Sequence, residues 1–303
     1  MKEVITLTLN TALDCVITEE EYERFGACPE RLEIIPAGKG INVSRALSSW
    51  DFSSLCLGFV GIEDKEIFSS VDDENITTDF VYVSGNTRKN ITITNCKDGL
   101  EHHERNKGFT PTKENVEELL EKLEGYCDGA KYLVLSGSVP DGISKDIYKD
   151  IIFMATKKGL KVILDASGPA LNKGIEAGPY MIKPNLEELK SLTDENLDSK
   201  EAIENFIRKT AVTNSIEYVL TTLSQEGALL YVRSADRFIY SPAYKDDSTE
   251  NKQIVSSVGC GDCSLAGFLY GNLKKLSFDG SLEMSMKCAA YNLYTKIPGK
   301  LGN

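Results

Sequence analysis

Histidine is almost absent from this chain: His102 and His103, side by side, are the only two among 303 residues. Cys260 and Cys263 form one C-x-x-C, with no second pair to complete a zinc site, and two adjacent histidines do not supply the missing ligands. Long apolar runs are absent too, and none reaches the roughly 18 to 20 residues that span a bilayer. Residues 1–10 alternate apolar and polar side chains as a strand does, without the unbroken apolar stretch of a signal peptide. These absences lead us to expect a cytoplasmic protein. Positive charge is also in deficit, with 34 Lys and Arg against 46 Asp and Glu, a formal charge of -12. Such a chain is soluble and repels nucleic acid and anionic membranes at long range. A phosphorylated ligand must then be held by a local cationic pocket or a cradle of backbone N–H groups.

Apolar residues make up 41% of the chain, enough for one large core with a small appendage. Most of the eight cysteines are scattered and read as small core residues in a reducing compartment. Hydrophobic spacing predicts strands at residues 4–9, 55–61, 80–83 and 90–95. After Gly108 helices join in. One is expected over 110–123, capped by Thr110 with Pro111 in its first turn, and others over 144–158, 186–192, 200–210, 263–274 and 282–294. Strands at 132–135, 161–164 and 218–222 fall between them. This alternation implies right-handed crossovers and a mostly parallel sheet covered on both faces. The strand-rich early region reads as a lid built within about residues 12–40 and 80–106 of a single domain spanning 1–303. In such a sheet ligands bind beyond the carboxyl ends of the strands.

The most informative segment is Ser257-Val-Gly-Cys-Gly-Asp-Cys-Ser-Leu-Ala-Gly267, between the apolar pair Ile254-Val255 and a helix. Gly259 and Gly261 let the backbone turn sharply, so successive N–H groups face one concavity at a helix N-terminus, a place for an anion. Asp262 stands at its rim, where a carboxylate accepts the proton of an attacking hydroxyl. A helix cap is the plainer reading of the same aspartate. The segment Ala37-Gly-Lys-Gly-Ile-Asn42 is neither a Walker loop nor G-x-G-x-x-G. Its small residues let the backbone and Asn42 approach a polyol, or simply make a turn before a helix. In Ile182-Lys-Pro-Asn-Leu-Glu-Glu188, Asn185 and Glu188 suit a capping box, and Glu188 also suits water-mediated contact with Mg²⁺. Arg88 opens a strand where it could take an anion bidentately. Asp14 follows the first strand and could accept from sugar hydroxyls.

In this order along the chain the segments resemble the ribokinase-like carbohydrate kinases of the phosphofructokinase-B family, in the branch of the hexose-phosphate kinases. Thr8-Leu-Asn-Thr-Ala-Leu-Asp14, Ala37 to Asn42, Thr87-Arg88 with Asn90, Leu135 to Pro140, Asp165 to Gly168, Lys183 to Glu188, Thr222 to Gly227 and Gly259 to Asp262 carry the resemblance. It implies a three-layer α/β/α sandwich with a β-rich lid. It implies ATP and Mg²⁺, a ketohexose phosphate as acceptor with fructose 1-phosphate first, and often a homodimer joined through the lid. Carried over residue by residue, Asp262 is the base, and the N–H groups of Gly259, Cys260 and Gly261 form the anion hole. Asp14, Gly38, Lys39 and Asn42 hold the sugar, and Arg88 with Ser138 its phosphate. Lys183, Asn185 and Glu188 serve ATP and Mg²⁺. Thr222, Ser224, Gly227 and Asn292 line the nucleotide site. The chain departs from the pattern at Ala37, Ser224, Cys260 and Cys263, and its segments at 31–37 and after Gly61 and Tyr294 look short. A kinase of unphosphorylated sugars or nucleosides, a sugar-phosphate sensor and a thiol redox protein are the competing readings.

Overall fold

The computed structural model describes residues 2–25, 33–94, 101–245 and 254–301. The expected strand end at Asn95 and the start of the short segment at Arg31 lie outside these residues. Among them the strands are β1 (Val4–Thr8), β2 (Ala12–Thr18), β3 (Ile35–Ala37), β4 (Ser54–Gly61), β5 (Ile76–Thr78), β6 (Val81–Val83) and β7 (Arg88–Thr94). There follow β8 (Glu101–Arg105), β9 (Tyr132–Ser136), β10 (Lys161–Asp165), β11 (Met181–Ile182), β12 (Tyr218–Thr222), β13 (Ala228–Val232) and β14 (Arg237–Ser241). The helices are α1 (Glu19–Phe25), α2 (Lys39–Ser48), α3 (Lys65–Phe68), α4 (Lys113–Tyr126) and α5 (Ile147–Lys157). The rest are α6 (Gly168–Ile175), α7 (Leu186–Lys190), α8 (Lys200–Thr213), α9 (Cys260–Leu273) and α10 (Phe278–Asn292).

The central strands are apolar on both sides, and successive residues send side chains to opposite faces. Ile5, Leu7, Leu133, Leu135, Val162 and Leu164 join one core with residues of α4, α5, α6 and α8. Val4, Val134 and Ile163 join a second core on the other face, with residues of α2, α9 and α10. The result is three layers, as expected. Each fully buried Leu, Ile or Val contributes about 1.5–3 kcal/mol, so the packed faces and not helix propensity hold the helices in place.

The large sheet runs β14-β13-β12-β11-β10-β9-β1-β4-β5, parallel from β12 to β5 and closed by the antiparallel β12, β13 and β14. The β13–β14 hairpin escapes the hydrophobic spacing, and its turn depends on Asp236 in the left-handed region at φ 41°. Thr8 is level with Ser136, and Ser136 with Asp165, so β1, β9 and β10 end in one row. A four-stranded sheet, β3-β2-β7-β8, comes from the two segments expected for the lid. However, β6 pairs with β4, so the second segment enters this sheet at Arg88 and not near residue 80.

Several boundaries move. Thr112, not Thr110, caps α4: Asn115 N–H donates to Thr112 Oγ1 at 3.3 Å while Asn115 Oδ1 accepts from Thr112 N–H at 3.0 Å. Residues 144–146 form a turn before α5, with Asp146 N–H donating to Ser144 Oγ. Helices α9 and α10 begin before the expected residues 263 and 282. Ile254 and Val255 form no strand; Val255 N–H donates to Leu293 O at 2.8 Å instead. No helix among the described residues is long and apolar enough to cross a membrane.

The capping geometry makes a direct test. Replacing Thr112 by Ala should lower stability by about 1 kcal/mol, read as a shift of the urea midpoint at constant slope. The exposed Thr110 should tolerate Ala within about 0.5 kcal/mol.

Candidate active site

Because β1, β9, β10, β11 and β12 are parallel, the residues that follow them meet along one edge of the sheet. Helices α2 and α9 begin at the same edge. Their first turns are tied by Asn42 Nδ2, which donates to Asp262 Oδ2 at 2.8 Å in a buried site.

The start of α9 is shaped by its turn. Gly259 has φ 84°, and a Cβ there would lie 2.7 Å from Pro298 Cβ, so the position admits only glycine. Cys260 N–H closes the turn on Ser257 O at 3.2 Å. Among the described residues no acceptor takes the N–H groups of Gly259, Gly261 or Asp262. Of the three N–H groups expected to face an anion, that of Cys260 closes the turn, while that of Asp262, outside the expected set, has no acceptor among the described residues. Asn292, expected along a nucleotide, bonds to the glycine turn. It is fully buried, with Nδ2 donating to Val258 O at 2.7 Å and Oδ1 accepting from Gly299 N–H at 2.8 Å. It braces the glycine turn from behind.

Asp262 is 6% exposed. Burial pushes its carboxyl up to about 6; Asp165 adds to the rise, while Lys39, Asn42 and Lys183 oppose it. A carboxylate at that value is a better base than one in water. Lys39 is the first residue of α2, which seats against the end of β1. Gly40 N–H donates to Thr8 Oγ1 at 3.0 Å, and a Cβ on Gly40 would lie 2.6 Å from that oxygen. From there Lys39 Nζ donates to Asp165 Oδ1 at 3.1 Å, and Lys183 Nζ lies 3.3 Å from the same oxygen. Burial works against the Lys39 charge, but Asp165, Asp262 and Glu188 outweigh it and hold the ammonium above its usual range. In a chain of net charge -12 these two lysines are gathered at one place, on Asp165.

Arg88 and Ser138 come together through Asn10, a residue that sequence reasoning left without a role. Arg88 Nη2 donates to Asn10 O at 3.1 Å, and Asn10 Nδ2 donates to Ser138 Oγ at 3.0 Å. A lone asparagine just past an apolar strand gives the sequence no signal that could have marked it. Asp14 lies in β2 and not in a loop; it is 8% exposed and accepts from Asn90 Nδ2 at 2.7 Å. Asn42 Oδ1 and Asn90 Oδ1 are buried acceptors with no hydrogen-bond donor among the described residues.

On the other side, Asn185 and Glu188 form the full capping box of α7. A bridge from Asn185 to Thr222 sets the loop after β12 beside it. There Ser224 occupies the left-handed region at φ 52°, where a glycine would be unstrained. A Cβ on Gly227 would lie 2.1 Å from Ser241 O. No group of three or more His, Cys, Asp or Glu among the described residues could cage a metal. Cys263 donates to Asn292 Oδ1 at 3.3 Å, and burial pushes its thiol well above the usual range, which removes the support for a redox dithiol.

The family model for pfkB family carbohydrate kinases matches residues 7–296. The chain belongs to that family. The 1-phosphofructokinase of Bacillus subtilis is 31% identical over 298 residues, covering 98% of this chain and 94% of that protein. The 1-phosphofructokinase of Borreliella burgdorferi is 32% identical over 311 residues, covering 98% and 93%. Among solved structures, phosphofructokinase-2 from Escherichia coli with fructose-6-phosphate superposes with TM-score 0.83 at 23% identity, covering 99% and 96%, a likeness of fold. A possible 1-phosphofructokinase from Thermotoga maritima gives TM-score 0.80 at 26% identity, covering 99% and 94%. This pfkB protein is thus a carbohydrate kinase, with ATP as its phosphoryl donor.

The raised Asp262 carboxyl has a consequence for stability. In the unfolded chain it titrates near 4, so between about pH 4 and 6 the folded state holds the extra proton, and stability falls as pH rises through that window. Asp262→Asn should therefore stabilise the pfkB kinase by about 3 kcal/mol at pH 8 and by little at pH 4. Urea unfolding at the two pH values checks it, and a gain that does not vary with pH would contradict the assignment.

Proposed function

We propose that this pfkB kinase transfers the γ-phosphoryl group of ATP to fructose 1-phosphate, giving fructose 1,6-bisphosphate. The observation that carries the reading is the buried hydrogen bond from Asn42 to Asp262 beside the glycine turn. It holds the Asp262 carboxylate at the helix start whose first N–H groups have no acceptor among the described residues.

In this reading the acceptor hydroxyl gives its proton to Asp262 as its oxygen attacks phosphorus. The N–H groups of Gly259, Gly261 and Asp262 then neutralise the migrating phosphoryl group, with Lys39 and Lys183 beside it. The unsatisfied Asn42 Oδ1 and Asn90 Oδ1, with Asp14 and Gly38, take the sugar hydroxyls. Arg88 and Ser138 hold the phosphate already on the sugar. Asn185, Thr222, Ser224 and Gly227 lie along ATP. The residues also fit Mg²⁺ bound mainly through water: the capping box engages Glu188 Oε2, and no described residue takes Oε1. When bound, the ion would draw charge from the ATP phosphates. The four-stranded sheet is the lid over the sugar and the surface through which two copies would pair. With ATP and a sugar phosphate as substrates, the reaction belongs in the cytoplasm.

Fructose 1-phosphate comes first because the 1-phosphofructokinases of Bacillus subtilis and Borreliella burgdorferi match along nearly their whole length. Tagatose 6-phosphate and fructose 6-phosphate are the alternatives, and ADP release with each of the three, with Mg²⁺ and ATP, decides among them. Asp262→Asn should lower kcat roughly 10²- to 10⁴-fold, and retention of full activity would remove Asp262 as the base.

Arg88 separates phosphorylated from neutral acceptors. Losing its charge-assisted bonds should raise KM for the sugar phosphate roughly 10- to 100-fold in Arg88→Ala and change turnover of unphosphorylated fructose little.

A further inference from the structure

Asp165 ends β10 and is fully buried, yet its two oxygens are used unequally. Both ammonium groups, of Lys39 at 3.1 Å and Lys183 at 3.3 Å, crowd onto Oδ1. Oδ2 is buried and has no hydrogen-bond partner among the described residues. A buried carboxylate kept only for stability would spread its donors over both oxygens, because an orphaned polar atom costs about 1–3 kcal/mol. The lysines come from different elements, one from the start of α2 and the other from just after β11. Lys183 is 4% exposed, and among the described residues the only partner of its ammonium group is Asp165. Its Nζ also lies 3.5 Å from where a Cβ on Gly261 would project, so its unspent N–H groups sit against the glycine turn.

We infer that Asp165 is a positioning residue for phosphoryl transfer: it pins Lys39 and Lys183 together beside the glycine turn and offsets their charge, so that Asp262 stays basic. The inference rests on the kinase reading above. Asp165 touches neither substrate nor reacting atoms in this account; it acts through the two lysines. Two positive groups drawn toward one point would repel each other and pull the nearby Asp262 carboxyl down. One negative charge among them removes both problems. The set is then two carboxylates and two ammonium groups, of which that of Lys39 is partly exposed. Cys263 adjoins Asp262, and Tyr148 lies near Asp165; burial holds both protonated.

The test is the near-isosteric variant Asp165→Asn. With the lysines released and uncompensated, kcat should fall roughly 10- to 100-fold while KM for the sugar phosphate stays within about threefold. The acidic limb of the kcat profile should move to lower pH in the variant, by about one pH unit. An unchanged kcat, or a fall in kcat with the limb unmoved, would overturn the inference, since a merely structural residue does not shift that limb. The carboxyl carbon resonance of Asp262 gives the same midpoint without turnover. A natural protein inactive on every sugar phosphate would count against the kinase reading alone, and this resonance would still decide the role of Asp165. If Asp165→Asn does not fold, Lys183→Met replaces it. With one cation removed, the Asp262 midpoint should rise, and no movement would rule the arrangement out.

Discussion

Asn42 and Asp262 stand 220 positions apart, and the 2.8 Å hydrogen bond between them is the constraint on which the site depends. It forms only because α2 and α9 begin at the same edge of the sheet and lie on the same face. Were either helix to shift by one turn, the base would lose its orienting partner and the glycine turn would face a different residue. The shared core of α2, α9 and α10 prevents that shift. Val43, Ala46 and Leu47 pack with Leu265, Phe268 and Leu269, and Leu282 and Met286 close the layer. Apolar packing thus sets the geometry of a polar contact.

The glycines at this edge serve that geometry in two ways. Gly259 supplies a backbone conformation that L side chains avoid, while Gly40 supplies room against Thr8. The C-terminal residues finish the arrangement: Gly299 N–H binds the Asn292 amide that braces the turn, and Leu301 is buried in the same core. The segment after Tyr294 looked merely short in the sequence, yet it buttresses the cradle. Electrostatics follow from the same convergence. Burial raises Asp262, Lys39 and Lys183 restrain the rise, and Asp165 occupies the middle.

The α/β class, the parallel sheet and the stretch holding the catalytic turn were legible in the residues, because alternation of apolar strands and helices and the spacing Gly259-x-Gly261-Asp262 are local properties. The pairing of Arg88 with Ser138 was legible only as a resemblance. What joins them is Asn10, and a lone asparagine after a strand carries no signal of its own. Two assignments changed for a physical reason of one kind. Cys260 N–H and Asn292 are the right type of group in the right region, but each is consumed by the turn itself.

The chain order by itself therefore determined which elements form and that a glycine turn and an aspartate lie side by side at a helix start, since these depend on neighbours in sequence. Only the tertiary structure decided which N–H groups are left for a ligand, that Asp14 sits in a strand, and that one aspartate oxygen gathers two distant lysines. Those outcomes depend on how strands from remote parts of the chain end in one row, and no local pattern encodes that register.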